Sequence, residues 1–177
     1  MIEIPLLGQM EEDDKFDDWL RSDPLHVDVL GGEEFVFTLE GYVEDDKPEE
    51  FHQAIANILA AEDSVLKKAE TDIYKYYKDI NSQSDPGDDW YVEIARPENV
   101  WEHIQFKDIL MIKRRPYRDE LIYIEVECGC DWEKEHGLQI VFKQGLYVNK
   151  IGPYNGHLTN SDAYANDELE DVVYYGL

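Results

Sequence analysis

Between Pro48 and Ile80 the hydrophobic residues recur at steps of three and four, which is the period of one face of an α-helix. Asp46 and Glu49 have the spacing of a capping box, and Pro48 follows Asp46 where a missing N–H costs little. An unbroken helix of about 33 residues would be about 50 Å long, which exceeds the width of a small domain. We therefore expect a long helix with a break near Asp63-Ser64.

On both sides of this helix the sequence favours β-strands. Gly31-Gly32 separates the strand-like runs His26–Leu30 and Glu33–Tyr42, and glycine readily adopts the positive φ angles of a tight hairpin turn. A second hairpin is predicted around the turn at Lys143-Gln144-Gly145. Strands are also expected over 90–95, 109–113, 120–127, 137–142 and 146–151, with a turn or short helix over 97–103.

Two further segments have other local signals. Phe16, Trp19 and Leu20 have the i, i+3, i+4 spacing of a short amphipathic helix, which Pro24 would end. Asn81–Asp89 is rich in loop-forming residues. Together these patterns predict an α+β fold, an antiparallel sheet of five or six strands with a long helix and short helices packed on one face. We expect a single acidic domain over residues 1–177, with a helix-rich half 1–80, a strand-rich half 90–160 and an acidic tail 161–177.

The charge restricts the partners of such a domain. The 177 residues include 41 Asp and Glu against 16 Lys and Arg, which gives a formal net charge of −25 at pH 7. With 43% hydrophobic residues the chain is too apolar for the disordered class, so the acid must lie on a folded surface. Such a surface repels nucleic-acid phosphates and anionic membranes, and it favours a basic protein partner.

Several sequence features indicate a cytoplasmic protein. The acids that follow Gln9 do not fit a signal peptide, and no apolar run reaches the ~18 residues of a membrane span. A disulfide between Cys128 and Cys130 would be strained and would close almost no loop. We expect both thiols to be reduced.

The densest cluster of reactive side chains is the segment from Cys128 to Gly137. Cys128, Cys130, His136 and His157 have the types, although not the usual spacing, of a tetrahedral zinc site. In the alternative interpretation the two cysteines are small buried residues at a strand end and Gly137 supplies a turn.

A catalytic role for this segment has little support. The surrounding acids should raise the pKa of Cys130, which opposes a cysteine nucleophile even with Asp131 and a histidine nearby. Glu133 and Glu135 are expected to be solvated charges, although a pair of carboxylates has the types for acid–base catalysis. The chain has no phosphate-binding loop, nucleophile elbow, zinc-protease helix or calcium loop. We expect no enzymatic activity, no catalytic residue, no metal ligand and no cofactor.

One basic cluster contrasts with the acidic remainder. Its members are Lys107, Lys113, Arg114, Arg115 and Arg118. It is interpreted as a charged edge strand and turn that discourage association between sheets. A nucleic-acid contact is the alternative, which the overall negative field disfavours.

A motif in the strand-rich half resembles a known family. Cys130-Asp131-Trp132-Glu133, Glu135 to Phe142, Gly145, Gly152 and Asn155 to Thr159 are similar to a motif of small uncharacterised bacterial proteins. The resemblance covers roughly residues 120 to 164 and carries no catalytic role. It implies a bacterial cytosolic domain, and some members lie beside genes for polymorphic or contact-dependent toxins, as candidate immunity proteins. The strongly acidic N-terminal half departs from the resemblance.

These observations favour a binding protein, an immunity protein that neutralises a basic toxin domain such as a nuclease by electrostatically steered binding. The alternatives are a DNA mimic that inhibits a DNA-binding protein, and a metal-binding or enzymatic domain built on the cysteine–histidine cluster. The acids expected to steer the partner are Asp13, Asp14, Asp17, Asp18, Glu44, Asp45, Asp46, Asp167, Glu168, Glu170 and Asp171. The aromatic residues expected to anchor it are Trp19, Tyr42, Tyr174 and Tyr175.

Overall fold

The computed structural model of the protein describes residues 2–176, in which nine strands form one sheet. The strands are β1 (Ile2–Ile4), β2 (Gly8–Glu12), β3 (Trp19–Arg21), β4 (Leu25–Val27), β5 (Glu33–Glu40), β6 (Ile104–Arg114), β7 (Ile122–Cys130), β8 (Leu138–Lys143) and β9 (Tyr147–Gly152). The helices are α1 (Pro48–Leu59), α2 (Ser64–Lys67), α3 (Glu70–Asn81) and α4 (Asn160–Tyr164). Single 3₁₀ turns occupy Asp28–Leu30, Tyr42–Glu44 and Asp167–Leu169, and a longer 3₁₀ helix occupies Pro97–His103, where a turn or short helix was expected.

The sheet corrects two expectations about its size and direction. Its order is β1-β2-β3-β5-β6-β7-β8-β9, with β4 also paired to β5, so it is larger than the five or six strands predicted. The pairs among β1, β2, β3, β4 and β5 are antiparallel, but β5 and β6 are parallel. A parallel pair needs a long crossover connection, which the helical segment between β5 and β6 provides. The mixed α/β architecture itself is confirmed.

The predicted helical segment forms three helices instead of one long helix. α1 ends at Leu59 and α2 begins at Ser64, so the break expected near Asp63-Ser64 is confirmed. Pro48 occupies the first turn of α1 as expected, but the capping box is absent because the residue at the N-cap is Lys47 and no side chain caps it. α1 and α3 each bury the apolar face that the period of the sequence predicts.

The short helix expected at Phe16 to Leu20 is wrong. A turn in which the Trp19 N–H donates to the Phe16 carbonyl at 3.1 Å is followed by strand β3. The Phe16 and Trp19 rings stack with centroids 4.1 Å apart. Their i, i+3 spacing therefore comes from a ring stack across a turn.

The first hairpin is confirmed, and Leu25 pairs with Phe35 in its ladder. Its connection is longer than the predicted two-residue turn, because the 3₁₀ turn Asp28–Leu30 precedes Gly31 and Gly32, whose φ angles are +79° and +70°. The strand expected over 90–95 is wrong, since within residues 2–176 this segment pairs with no strand.

The described chain divides into two compact units. The first contains the segment that ends at Val65 together with Asp108–Val126 and Phe142–Tyr147, and the second contains Leu66–Lys107, Glu127–Val141 and the segment from Val148 onward. Buried phenylalanines of β5 and α1 contribute to the core of the first unit. Within the described part of the chain, none of the helices combines the length and apolar character that crossing a bilayer requires.

Candidate functional site

Two acidic segments of the first unit meet at one end of β3 and β5. Trp19 pairs with Glu40 in the ladder between these strands. The Gly41 N–H donates to the carbonyl of Asp18 at 3.0 Å, just beyond that pair. The loop that precedes β3 therefore lies beside the turn that follows β5, although the two segments are well separated in the sequence.

This junction exposes both carboxylates and apolar side chains. Phe16 is 47% exposed and Val43 is 59% exposed, while Trp19 is half-buried beneath its stack with Phe16. The acidic side chains exposed on the two segments are those of Asp14, Asp17, Asp18, Glu44 and Asp46. We call the surface formed by these five acids with Phe16, Trp19 and Val43 the N-terminal acidic surface. The sequence interpretation did not include Phe16 and Val43, although an apolar residue within an acidic run was a signal for both.

Two other residues of the predicted partner surface serve the local fold. Asp13 accepts a hydrogen bond from the Lys15 N–H at 2.8 Å, and its carboxylate, only 12% exposed, lies 3.7 Å from Arg21. Tyr42 is half-buried, its hydroxyl forms a 2.8 Å hydrogen bond with Nε2 of His52, and burial raises its pKa. Both residues therefore have local structural roles.

Asp45 is also held within the fold, by Arg114 of β6. The Asp45 carboxylate accepts two hydrogen bonds from the Arg114 guanidinium, at 2.7 and 2.8 Å. The same guanidinium donates to the Glu50 carboxylate and to the Glu120 carbonyl. The hydrogen bonds from Arg114 lower the pKa of Asp45, and those to the carboxylates raise the pKa of Arg114. Asp45 is therefore a structural ion-pair partner as well as a member of the acidic turn.

Three bases of the basic cluster, Lys107, Lys113 and Arg114, lie on β6, which is a central strand between β5 and β7, whereas Arg115 and Arg118 lie in the segment and turn that follow it. The edge strand is therefore wrong, because the parallel partner β5 could not be read from local pattern, and the turn is confirmed. Lys107 bonds to Glu127, and Lys113 lies 3.4 Å from Glu125. These bases face carboxylates of the neighbouring strand.

Arg115 is fully buried and lies 3.5 Å from Asp119. Burial alone would raise the pKa of Asp119, but hydrogen bonds from Lys143, Tyr123 and the Leu121 N–H outweigh it and lower the pKa. Like Arg114, Arg115 thus has its charge partner inside the first unit.

The acidic tail lies in the second unit and is fastened along its length. The Ile151 N–H of β9 donates to the Val173 carbonyl at 2.8 Å, and the Tyr174 hydroxyl donates to Asp79 at 2.7 Å. Burial is the main cause of the raised pKa of Tyr174, followed by its hydrogen bond to Asp79. Tyr175 is exposed and packs edge-on against Tyr164.

The tail acids differ in exposure. Asp167, Glu168 and Asp171 are exposed, whereas Glu170 is half-buried and accepts a hydrogen bond from Ser161. The tail therefore offers a second group of solvent-facing carboxylates.

The cysteines are enclosed in the second unit as free thiols. Burial raises the pKa of Cys128, and burial is also the main reason that the pKa of Cys130 rises to about 12. The Cys130 thiol donates to the Glu133 carbonyl at 3.3 Å. The raised pKa agrees in direction with the sequence interpretation, but its main cause is burial and the acids are secondary.

The four residues of the suggested zinc site do not form one ligand cluster. Within residues 2–176 the group of potential metal donors consists of Glu133, Glu135 and His136, with donor atoms within 4.8 Å of one another. The Glu133 carboxylate already accepts the N–H groups of Glu135 and His136, at 3.0 and 2.7 Å. These bonds close the turn after Cys130, which gives the carboxylate a structural role.

The aromatic and glycine residues of the motif also have structural roles. Trp132 is buried edge-on against Tyr76 and Tyr77. Gly137 has a φ of +65°, and a Cβ at this position would lie 2.3 Å from the carbonyl oxygen of Cys128. Only glycine fits this turn, which the Tyr76 hydroxyl secures by donating to the Gly137 carbonyl at 2.9 Å.

A buried lysine ties the second part of the motif to the sheet. Lys150 of β9 donates to Gln139 Oε1 at 2.6 Å and to Asn155 Oδ1 at 3.0 Å. Gln139 in turn donates to the His157 carbonyl at 3.2 Å, and Asn149 donates to the Leu158 carbonyl. The motif therefore fastens the chain after β9 onto the strands.

Comparison with family models matches residues 6–158 to a family described as a domain of unknown function, DUF6985. The matched range includes the N-terminal acidic surface and excludes the tail acids. No curated protein and no solved structure matches the sequence.

Proposed function

This chain belongs to the DUF6985 family, and we propose that it is a bacterial cytoplasmic immunity protein that neutralises a basic toxin domain, a nuclease in particular. The observation that carries the proposal is the N-terminal acidic surface, where two acidic segments meet and expose apolar side chains as well as carboxylates. The motif resemblance to candidate immunity proteins supports the same function. The two free, buried thiols are compatible with a reducing compartment.

The charge of this surface suits a nuclease. A nuclease must present Lys and Arg to a phosphate backbone, so its cleft is a positive target. Exposed carboxylates such as Asp14, Asp17 and Asp18 attract that target over a distance and raise the association rate. Arg114 and Arg115 are paired with Asp45 and Asp119 within the fold, so they neutralise those two carboxylates and not the exposed ones of this surface.

The apolar side chains of the surface supply contact area. Phe16 and Trp19 already stack on each other, so little side-chain freedom is lost when a partner covers them. Aromatic anchors surrounded by polar groups are the usual arrangement of binding hot spots. We propose that the carboxylates determine the rate of encounter and that Phe16, Trp19 and Val43 determine the lifetime of the complex.

The test uses biolayer interferometry to measure binding of the protein encoded by the gene adjacent to that of this chain. The NaCl concentration is raised from 50 to 500 mM, so that the Debye screening length falls from about 14 Å to about 4 Å. The variant Asp14→Asn/Asp17→Asn/Asp18→Asn should lower the association rate about tenfold at low salt and flatten its salt dependence. The matched control, Asp167→Asn/Glu168→Gln/Asp171→Asn, removes the same charge from the tail and should change the rate much less.

Three outcomes would contradict parts of this proposal. A rate that does not respond to salt would remove the steering mechanism. A larger effect of the tail variant would assign binding to the tail instead of the N-terminal acidic surface. Inhibition of several unrelated DNA-binding proteins, in place of one toxin, would favour the DNA-mimic alternative.

A further inference from the structure

The loop between β2 and β3 holds Phe16 at the N-terminal acidic surface. The Asp13 N–H donates to the Trp19 carbonyl at 2.9 Å, and the Trp19 N–H donates to the Phe16 carbonyl at 3.1 Å. The Lys15 N–H donates to the Asp13 carboxylate at 2.8 Å. These hydrogen bonds close the loop on itself, so a folded turn presents the Phe16 ring.

One face of the Phe16 ring is available to a partner. Trp19 stacks on the ring with an interplanar angle of 26° and with the centroids 4.1 Å apart. This stack covers one face of Phe16, and because the residue remains 47% exposed, its other face lies open to solvent. The face of an aromatic ring carries the negative part of its quadrupole, so it attracts a cation.

Other aromatic rings of the protein have a cation of the same chain over them, but this stack does not. The Lys134 ammonium, for example, lies 5.7 Å from the centroid of the Trp90 ring. Within residues 2–176 no lysine or arginine lies over Phe16 or Trp19. Lys15 precedes Phe16 in the sequence, but its side chain is exposed and does not cover the ring. The stack can therefore receive a cation from another molecule.

Carboxylates beside the stack can bind the edge of such a cation. Asp17 follows Phe16 and Asp14 lies two residues before it, so their Cα atoms are at most about 7.6 Å from that of Phe16. Both carboxylates are exposed. A planar guanidinium can stack flat on a ring while the N–H groups at its edge donate to carboxylates. An ammonium is more strongly hydrated and has no plane to stack, so this arrangement favours arginine over lysine.

We propose that the partner places an arginine side chain on the open face of Phe16, with the edge of the guanidinium bonded to Asp14 or Asp17. This inference rests on the proposed function for the identity of the partner, a basic toxin domain, and it adds that the residue recognised is arginine. Steering by charge attracts lysine and arginine alike, so a preference for arginine is the signature of the ring.

The experiment uses the full chain and two blocked hexapeptides of equal charge, one alternating arginine with glycine and the other alternating lysine with glycine. NMR titration, followed at the Trp19 indole N–H, measures the affinity for each peptide. The arginine peptide should bind about two- to fivefold more tightly, which is the contribution of a cation–π contact at an exposed site. Intermolecular NOEs should connect the arginine δ protons to the Phe16 ring.

Variants separate the ring from the charge. Phe16→Leu keeps an apolar side chain but loses the ring, so the ratio of the two affinities should fall to about one, whereas Phe16→Tyr should retain the ratio. Asp46→Asn removes an exposed charge from the other segment of the surface and should weaken both peptides alike. The matched control is Trp90→Leu, which removes an exposed ring that already has Lys134 over it and should leave the ratio unchanged.

Several results would overturn the inference. They are no binding of either peptide, equal affinities in the unaltered chain, a ratio that survives Phe16→Leu, a ratio lost in Trp90→Leu, or no NOE to the Phe16 ring. The affinities and NOEs of the unaltered chain decide the matter even if Phe16→Leu does not fold.

These measurements do not use the product of the adjacent gene, so the two proposals can fail separately. If that product does not bind while the arginine preference is found, the proposed function fails and the arginine contact stands. If the product binds and the preference is absent, the arginine contact alone fails.

Discussion

Replacing Gly137 by alanine should destabilise the protein far more than the same change at another left-handed glycine. At φ +65° an alanine costs about 1–2 kcal/mol in backbone energy. Its Cβ would lie 2.3 Å from the Cys128 carbonyl oxygen, so two backbone segments must separate. This separation costs about 1–3 kcal/mol more. The shift also disturbs the 2.9 Å bond from Tyr76, worth about 1 kcal/mol. We expect a total of about 3–6 kcal/mol.

The matched control is Gly156→Ala, in the same unit. Gly156 has a φ of +75°, but a Cβ there meets no atom within 4 Å, so only the backbone cost of about 1–2 kcal/mol applies. Urea unfolding, followed by tryptophan fluorescence, to which the buried Trp132 contributes, gives the free energy of unfolding of each variant. If Gly137→Ala and Gly156→Ala lose the same free energy within about 0.5 kcal/mol, the close approach of backbone at Gly137 has no energetic consequence and the reasoning is refuted.

Three further predictions concern other parts of the molecule. Asp45→Asn should cost about 1–3 kcal/mol of unfolding free energy at pH 7, because Arg114 loses its paired carboxylate. The pKa of Asp45 is lowered in the fold, so the loss of unfolding free energy should reach its full value above the unfolded pKa of about 3.9 and shrink as the pH falls through the folded pKa. A loss that does not depend on pH would contradict the ion pair. Because the pKa of the Cys130 thiol is about 12, iodoacetamide at pH 8 should alkylate it about 100-fold more slowly in the native protein than in urea. Mass spectrometry measures both rates, and rapid labelling of the native protein would contradict the burial of this thiol. Tyr174→Phe removes the hydrogen bond to Asp79 and should cost about 0.5–1.5 kcal/mol in urea unfolding; no loss would mean that this bond does not hold the tail.

The elements that sequence predicts well are those defined by local contacts. α1 and α3 follow from the helical period, and the break between them follows from the length limit of a small domain. The hairpin of β4 and β5 follows from its glycines, which have positive φ angles. Each of these signals lies within a few residues of the structure it specifies.

The elements that sequence misses depend on distant partners. β3 has only three residues, and the stack of Phe16 on Trp19 imitates the spacing of a helix. Val36 pairs in parallel with Ile109, which no local pattern in either strand could indicate. The segment 91–95 lies in no strand of the described chain, and backbone groups of Val92 bond to the side chains of Tyr77 and Asn81.

The candidate site shows the same limit. The sequence identifies the acidic segments, but the bond between Gly41 and Asp18 that joins two of them is a tertiary contact. Composition also cannot distinguish Asp45, which holds Arg114, from its exposed neighbour Asp46. Exposure and pairing decide which carboxylates a partner can meet, and both follow from the fold.

The interleaving of the two units has a consequence for synthesis on the ribosome. The first unit needs Phe142–Tyr147, so it remains incomplete while most of the second unit is being translated. β5 in particular must wait for β6, since Val36 pairs with Ile109. At the usual elongation rate this delay is roughly 4–15 s, during which a nascent strand edge is open. Neither unit should therefore be obtainable by simple truncation of the gene, and until β6 is made the nascent N-terminal strands carry an unpaired edge that could associate with other chains.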